Sequence, residues 1–262
     1  PDPAQLALAK EFLAQRGEIL RQFEAALRSG DPFPFVPVLE LMAEHGDSRG
    51  ARGLYEILRD CTDPKRKSAD DLAAEHVDRA ARQIESGPML SRPTRDIETA
   101  IAGAVAHAQA MDVGCAKVTR ADADAAWLRL VGLAQGGNRA ARYSVALEVA
   151  LRYDSMVANG RLEPGSELER ASAAWLLDAA LRGRTSQRFM LERSYCRGGL
   201  VPADPVQCYA WQQFGLGLSR FPARRESLDR SRQLRDALTP AQRALADKRI
   251  AELRACCSRP RY

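Results

Sequence analysis

The sequence predicts an all-α chain, an α-solenoid of antiparallel helix hairpins, and three observations lead there. Alanine, leucine and arginine dominate the 262 residues while aromatic residues make up only 6%, a composition that favours helix over strand. Helical stretches are separated by short connections rich in Gly, Pro and Asp, which make antiparallel neighbours. A pattern of one large residue, two small ones and a helix-ending position recurs from Leu128 to Trp175 to Trp211.

The helices can be placed in order from their punctuation. Loops are expected at 30–37, 46, 63–67, 87–93, 136–138, 159–165, 183 and 198–205, where glycine and proline interrupt the helical pattern. Four starts carry a capping box, in which a Ser, Thr or Asp side chain takes a free backbone N–H and a residue three positions on reaches back. These are Ser68 with Asp71, Ser166 with Glu169, Asp204 with Gln207 and Thr239 with Gln242. Helices should therefore begin near 69, 167, 205 and 240, the last two with Pro205 and Pro240 at the first helical position.

The repeat follows from self-similarity. Trp175 precedes Ala179, Ala180 and Gly183; Trp211 precedes Gly215, Leu216 and Ser219; Leu128 precedes Gly132, Leu133 and Gly136. A fainter copy has Val38, Met42, Ala43 and Gly46. Large side chains would fill the gap between hairpins, small ones let backbones approach, and glycine ends the helix in a left-handed cap. One hairpin alone would leave an apolar face wet, and stacking buries it.

Composition narrows the function. The net charge of +5 is carried almost wholly by arginine, lysine occurring only at Lys10, Lys65, Lys67, Lys117 and Lys248. This mild, dispersed excess does not point to nucleic acid. The run Arg220, Arg224, Arg225, Arg230, Arg232 and Arg235 is interrupted by Glu226, Asp229 and Asp236, so a solvated, salt-bridged helix is expected there. No apolar stretch approaches the length of a membrane span, and a soluble chain is expected. The opening Pro1-Asp2-Pro3-Ala4 fits a mature secreted domain. Neither Glu44/His45 nor Glu75/His76 has the second histidine of a zinc-protease helix, and no phosphate loop or nucleophile elbow is present. No catalytic residue, metal site or small-molecule cofactor is therefore predicted. Trp127, Trp175 and Trp211 are expected in the core and not as sugar platforms.

The stretch Gly183, Leu191, Tyr195, Gly198, Val201-Pro202-Ala203-Asp204, Cys208, Trp211 resembles the Sel1-like repeat, a relative of the tetratricopeptide repeat. Cys208 stands where that family usually has alanine. Residues 128–175 look like a second copy with an enlarged loop, and 115–136 match more weakly, with Ala121 where aspartate is expected. The resemblance implies repeats over 115–236 and a capping helix and tail over 237–262. Residues 1–114 form an N-terminal helical region, either degenerate repeats or a separate segment.

The resemblance also implies a role: a protein–protein interaction scaffold or adaptor and not an enzyme, placed in the periplasm or secreted. The alternatives are a cysteine-rich hydrolase of the same class and a cytoplasmic regulatory adaptor. In such arrays the first helix of each hairpin lines a groove, and projecting that register puts Asn138, Arg142, Arg184, Arg188 and Glu192 on it, a face suited to an acidic protein or peptide partner. Extracytoplasmic members tie hairpins with disulfides, which implies a Cys196–Cys208 bridge, the alternative being two buried thiols. Cys61 and Cys115 occupy equivalent repeat positions and would pair if repeats stack directly. Vicinal Cys256 and Cys257 are expected to find partners elsewhere.

Overall fold

The computed structural model describes residues 15–27, 31–63, 66, 68–71, 74–75, 94–218 and 225–257, and among them every regular element is helical. The loop expected at 87–93 lies outside the described residues. After a helical stretch at 15–27 and a short 3-10 turn at Phe33–Phe35, the labelled helices are α1 (Val36–Glu44), α2 (Ser48–Cys61), α3 (Thr94–Cys115), α4 (Arg120–Gln135) and α5 (Arg139–Ala158). They continue as α6 (Glu167–Leu181), α7 (Thr185–Arg197), α8 (Pro205–Gly217), α9 (Arg225–Asp236) and α10 (Pro240–Cys257). The chain divides into two compact units, Pro1–Leu133 and Ala134–Tyr262.

In the first unit α1 and α2 pack as a hairpin around Leu39, Met42 and Ile57, all fully buried. Gly50 makes that approach possible, since a Cβ there would lie 2.4 Å from Cβ of Met42. Asp47 caps α2 by accepting from the N–H groups of Arg49 and Gly50. The loop expected at 30–37 is shorter than predicted, because helix α1 already starts at Val36 and seats Pro37 in its first turn, where no N–H is needed.

The expected boundary after residue 114 falls inside this first unit. The sulfurs of Cys61 and Cys115 lie 2.14 Å apart, tying the end of α3 to α2, and the Trp127 ring of α4 packs 5.2 Å from the Tyr55 ring of α2. Trp127, 4% exposed, is the buried anchor of α4, whereas Leu128, which the repeat register selects, is 67% exposed.

In the second unit α5 packs against α6 and α7, α6 against α7, and α7 against α8, so consecutive hairpins lie side by side. The core runs through Val145, Val149, Leu176, Ala179, Leu191, Trp211 and Phe214. The backbone of α5 departs from helical geometry at Arg152 (φ −122°, ψ 18°). Helix α10 covers the outer side of α8, burying Ala246 and Ile250 against Tyr209, Ala210 and Leu238. Trp211 on α8 is fully buried, whereas Trp175 on α6 is half-buried.

The four predicted helix starts are observed, but only two of their boxes close in full. Ser68 with Asp71 and Thr239 with Gln242 exchange both bonds. Asp204 accepts from Val206 and Gln207, yet its own N–H donates to the Tyr195 carbonyl at 2.8 Å, so nothing is left for Gln207 to bond, and Oε1 of Gln207 is buried without a partner. Ser166 accepts from the Glu169 N–H at 3.3 Å, while the Glu169 carboxylate turns to the Gly165 N–H and the Tyr153 hydroxyl. A fifth box, Thr119 with Asp122, opens α4.

Candidate functional site

The first turns of α5 and α7 meet the last turn of α6 at one corner of the second unit. Asn138 and Arg184 occupy the same structural position, the residue before helices α5 and α7 respectively. Asn138 accepts from the Ala141 N–H at 3.1 Å, while Arg184, with no acceptor on its side chain, leaves the α7 turn uncapped and instead lays its guanidinium 6.0 Å from the Tyr143 ring centre. The Gln187 amide joins α7 to α5 through the Tyr143 carbonyl.

Tyr143 is the hinge of this corner. Its hydroxyl donates to Asp178 at 2.7 Å, and the Arg182 guanidinium takes both oxygens of the same carboxylate at 2.9 and 3.0 Å. Burial pushes the Asp178 carboxyl up, but the Tyr143 hydrogen bond and the paired Arg182 outweigh it and hold it below the usual carboxylate range. Burial and the bond to Asp178 push the Tyr143 phenol up. Arg139 adds its field to both groups. Exposed Arg139 and Arg182 thus act on one half-buried aspartate, and exposed Arg184 lies against the ring of the tyrosine that bonds it, so the corner carries three arginines to that one carboxylate.

The other predicted site residues are placed differently. Arg142 is engaged by the fold: its Nε donates to the Ala134 carbonyl at 2.9 Å, closing the end of α4, and its guanidinium sits 5.6 Å from the Trp175 ring centre. Arg188 and Glu192 lie one turn apart on α7, half-buried, Arg188 running beside Gly215 of α8. Burial draws the Arg188 guanidinium below its usual range against the opposing field of Glu192. Burial likewise raises the Glu192 carboxyl against the fields of Arg230 and Arg188. Of the five residues projected from sequence, Asn138 and Arg184 share the corner, Arg142 supports it from behind, and Arg188 and Glu192 form a second group along α7. Arg139, Tyr143, Asp178 and Arg182 were not singled out by sequence. Arg139 could have been found as the neighbour of Asn138, whereas nothing local links Tyr143 to Asp178.

The Sγ atoms of Cys196 and Cys208 are 2.04 Å apart, joining the end of α7 to the first turn of α8. Those of Cys256 and Cys257 are 2.06 Å apart, which corrects the expectation that each bonds elsewhere: the other four cysteines are already paired, and no free thiol remains to receive them. Helix α9 carries the expected charge lattice, Asp229 lying 4.0 Å from Arg225 and 3.6 Å from Arg232; Arg220 and Arg224 lie outside the described residues. His45 contacts the Leu41 carbonyl at the end of α1, and His76 lies outside the described residues. Among the described residues no group of His, Cys, Asp or Glu is placed to hold a metal ion, and no helix is long and apolar enough to cross a membrane.

Compared with known proteins, the chain matches no family model, and no curated protein matches its sequence.

Proposed function

We propose that this protein is a Sel1-like helix-hairpin adaptor that holds an acidic protein or peptide partner at the corner formed by α5, α6 and α7. The observation that carries this reading is the equivalence of Asn138 and Arg184 at the heads of two adjacent first helices, with Arg139, Arg182 and Arg184 outnumbering Asp178. Guanidinium groups bind carboxylates through paired N–H donors, and an exposed cluster with uncompensated charge keeps donors free for them. Two further features support the repeat reading. Helix α5 packs on both α6 and α7, as the first helices of stacked hairpins do, and α10 covers α8 in the manner of a capping helix. The pairing of all six cysteines fits an oxidising compartment and supports a periplasmic or secreted location.

The test uses fluorescence anisotropy with labelled peptides rich in Asp and Glu, alongside neutral controls of the same length. Binding to the acidic set is expected to weaken at least roughly tenfold, about 1.4 kcal/mol, in an Arg139→Glu/Arg184→Glu variant that keeps wild-type helicity. Charge reversal at Arg142 is a poor probe, because that side chain closes α4 and covers Trp175. Equal affinity of wild type and variant for the acidic set removes the corner from the binding surface.

A further inference from the structure

The three disulfides differ in what each can do for the fold. A bridge stabilises mainly by closing a loop in the unfolded chain, and its effect grows with the residues enclosed. Cys61–Cys115 has a sequence separation of 54 and Cys196–Cys208 one of 12, whereas Cys256–Cys257 has a separation of 1. The last bond therefore removes almost no freedom from the unfolded chain. It also joins no two elements of the folded one, since both residues belong to the final turn of α10, beyond Leu253, the last buried side chain of that helix. Burial separates the bridges in the same direction: each of the first two has one buried cysteine, Cys115 or Cys208, and one half-buried, Cys61 or Cys196, whereas in the third Cys257 is half-buried and Cys256 exposed. Disulfide exchange requires a thiolate to reach a sulfur, so exposed bridges are the labile ones.

The geometry points to Cys256–Cys257 as a thiol–disulfide exchange site whose reactant is a thiol, carried by a protein or by a small molecule. The incoming thiolate attacks Sγ of Cys256, the more exposed of the two. The S–S bond breaks and its electron pair leaves on Sγ of Cys257. A second thiolate attacks the incoming sulfur of the mixed disulfide, which expels Cys256 as thiolate and releases the oxidised product. Two thiols have then lost two electrons and two protons, and the cysteine pair has gained them. The same exchange run in reverse, with a disulfide of the partner class taking up the two electrons and two protons and leaving as two thiols, closes the pair again.

The experiment incubates the intact oxidised protein with rising concentrations of reduced glutathione and, in parallel, of a reduced thioredoxin, then alkylates and maps the cysteines by mass spectrometry. Cys256 and Cys257 are expected to open at roughly a tenth of the thiol concentration that opens the other two bridges, with helical circular dichroism unchanged. The series that opens them at the lower concentration identifies the source of the thiol. Opening only together with the other bridges, or free thiols at Cys256 and Cys257 before any reductant, overturns the proposal. A Cys256→Ser/Cys257→Ser variant is expected to melt with wild type; a fall as large as that on removing Cys196–Cys208 makes the bond structural and overturns it too.

Discussion

At the scale of single residues, two glycines in helices show how surroundings set the sign of one substitution. Replacing glycine by alanine inside a helix gains about 1 kcal/mol where nothing obstructs the new methyl group. At Gly132 nothing lies within 4 Å of it, so Gly132→Ala should raise stability by up to about that amount. At Gly50 the methyl would meet Cβ of Met42 at 2.4 Å and the backbone of Leu39 and Ala43 at 3.2 and 3.3 Å, none of which is a flexible tip. Overpacking of that kind costs about 1–3 kcal/mol, which exceeds the propensity gain, so Gly50→Ala should lower stability in denaturant unfolding. Tyr153 makes a different kind of prediction. Its hydroxyl donates to Glu169 at 2.6 Å, and that bond, with burial behind it, pushes the phenol up to about 12. A phenol raised in the folded state contributes stability that is whole below its unfolded value near about 10 and is lost as pH climbs through the folded one. The melting temperature of the wild type should therefore fall more steeply between those pH values than that of Tyr153→Phe, and parallel curves would show that the bond does not persist in solution.

At the scale of elements, the junction of α7 and α8 concentrates two constraints on one short loop. Asp204 satisfies two orphan N–H groups of α8, and Asp204→Ala should cost about 1 kcal/mol. The Cys196–Cys208 bond closes the same loop, and its removal should cost about 3 kcal/mol, against about 4 for the wider loop of Cys61–Cys115. Urea unfolding of the two double-serine variants ranks them, and the reverse order would mean that loop length does not govern their effect. The starts of these helices were legible in the sequence because a cap is local: Ser68, Ser166, Asp204 and Thr239 sit within three residues of the N–H groups they satisfy. The buried face of α4 was not legible in the same way. Trp127 and Leu128 are neighbours of similar apolarity, and only the presence of Tyr55 opposite one of them decides which is covered. The candidate corner was half legible for the same reason, since Asn138 and Arg184 follow from helix register, whereas Tyr143 and Asp178 are 35 residues apart and meet only when α5 packs on α6.

At the scale of the whole molecule, the division into two units makes a prediction about independence. Every disulfide closes within one unit, Cys61–Cys115 in the first and the other two in the second. The second unit also holds a core of its own, from Val145 and Leu176 through Trp211 to Leu253, and every residue of the arginine corner. It retains Ala134, whose carbonyl receives Arg142, so its first hairpin keeps the cover over Trp175. A domain of this size can bury enough apolar surface to fold alone, and the Cys196–Cys208 bridge reduces the freedom of its unfolded chain further. The fragment 134–262, expressed where disulfides form, is therefore expected to be helical, to melt in one cooperative transition and to bind acidic peptides with the affinity of the full chain. A fragment that folds but does not bind would assign recognition to residues before 134, and one that does not fold would show that the second unit draws part of its stability from the first.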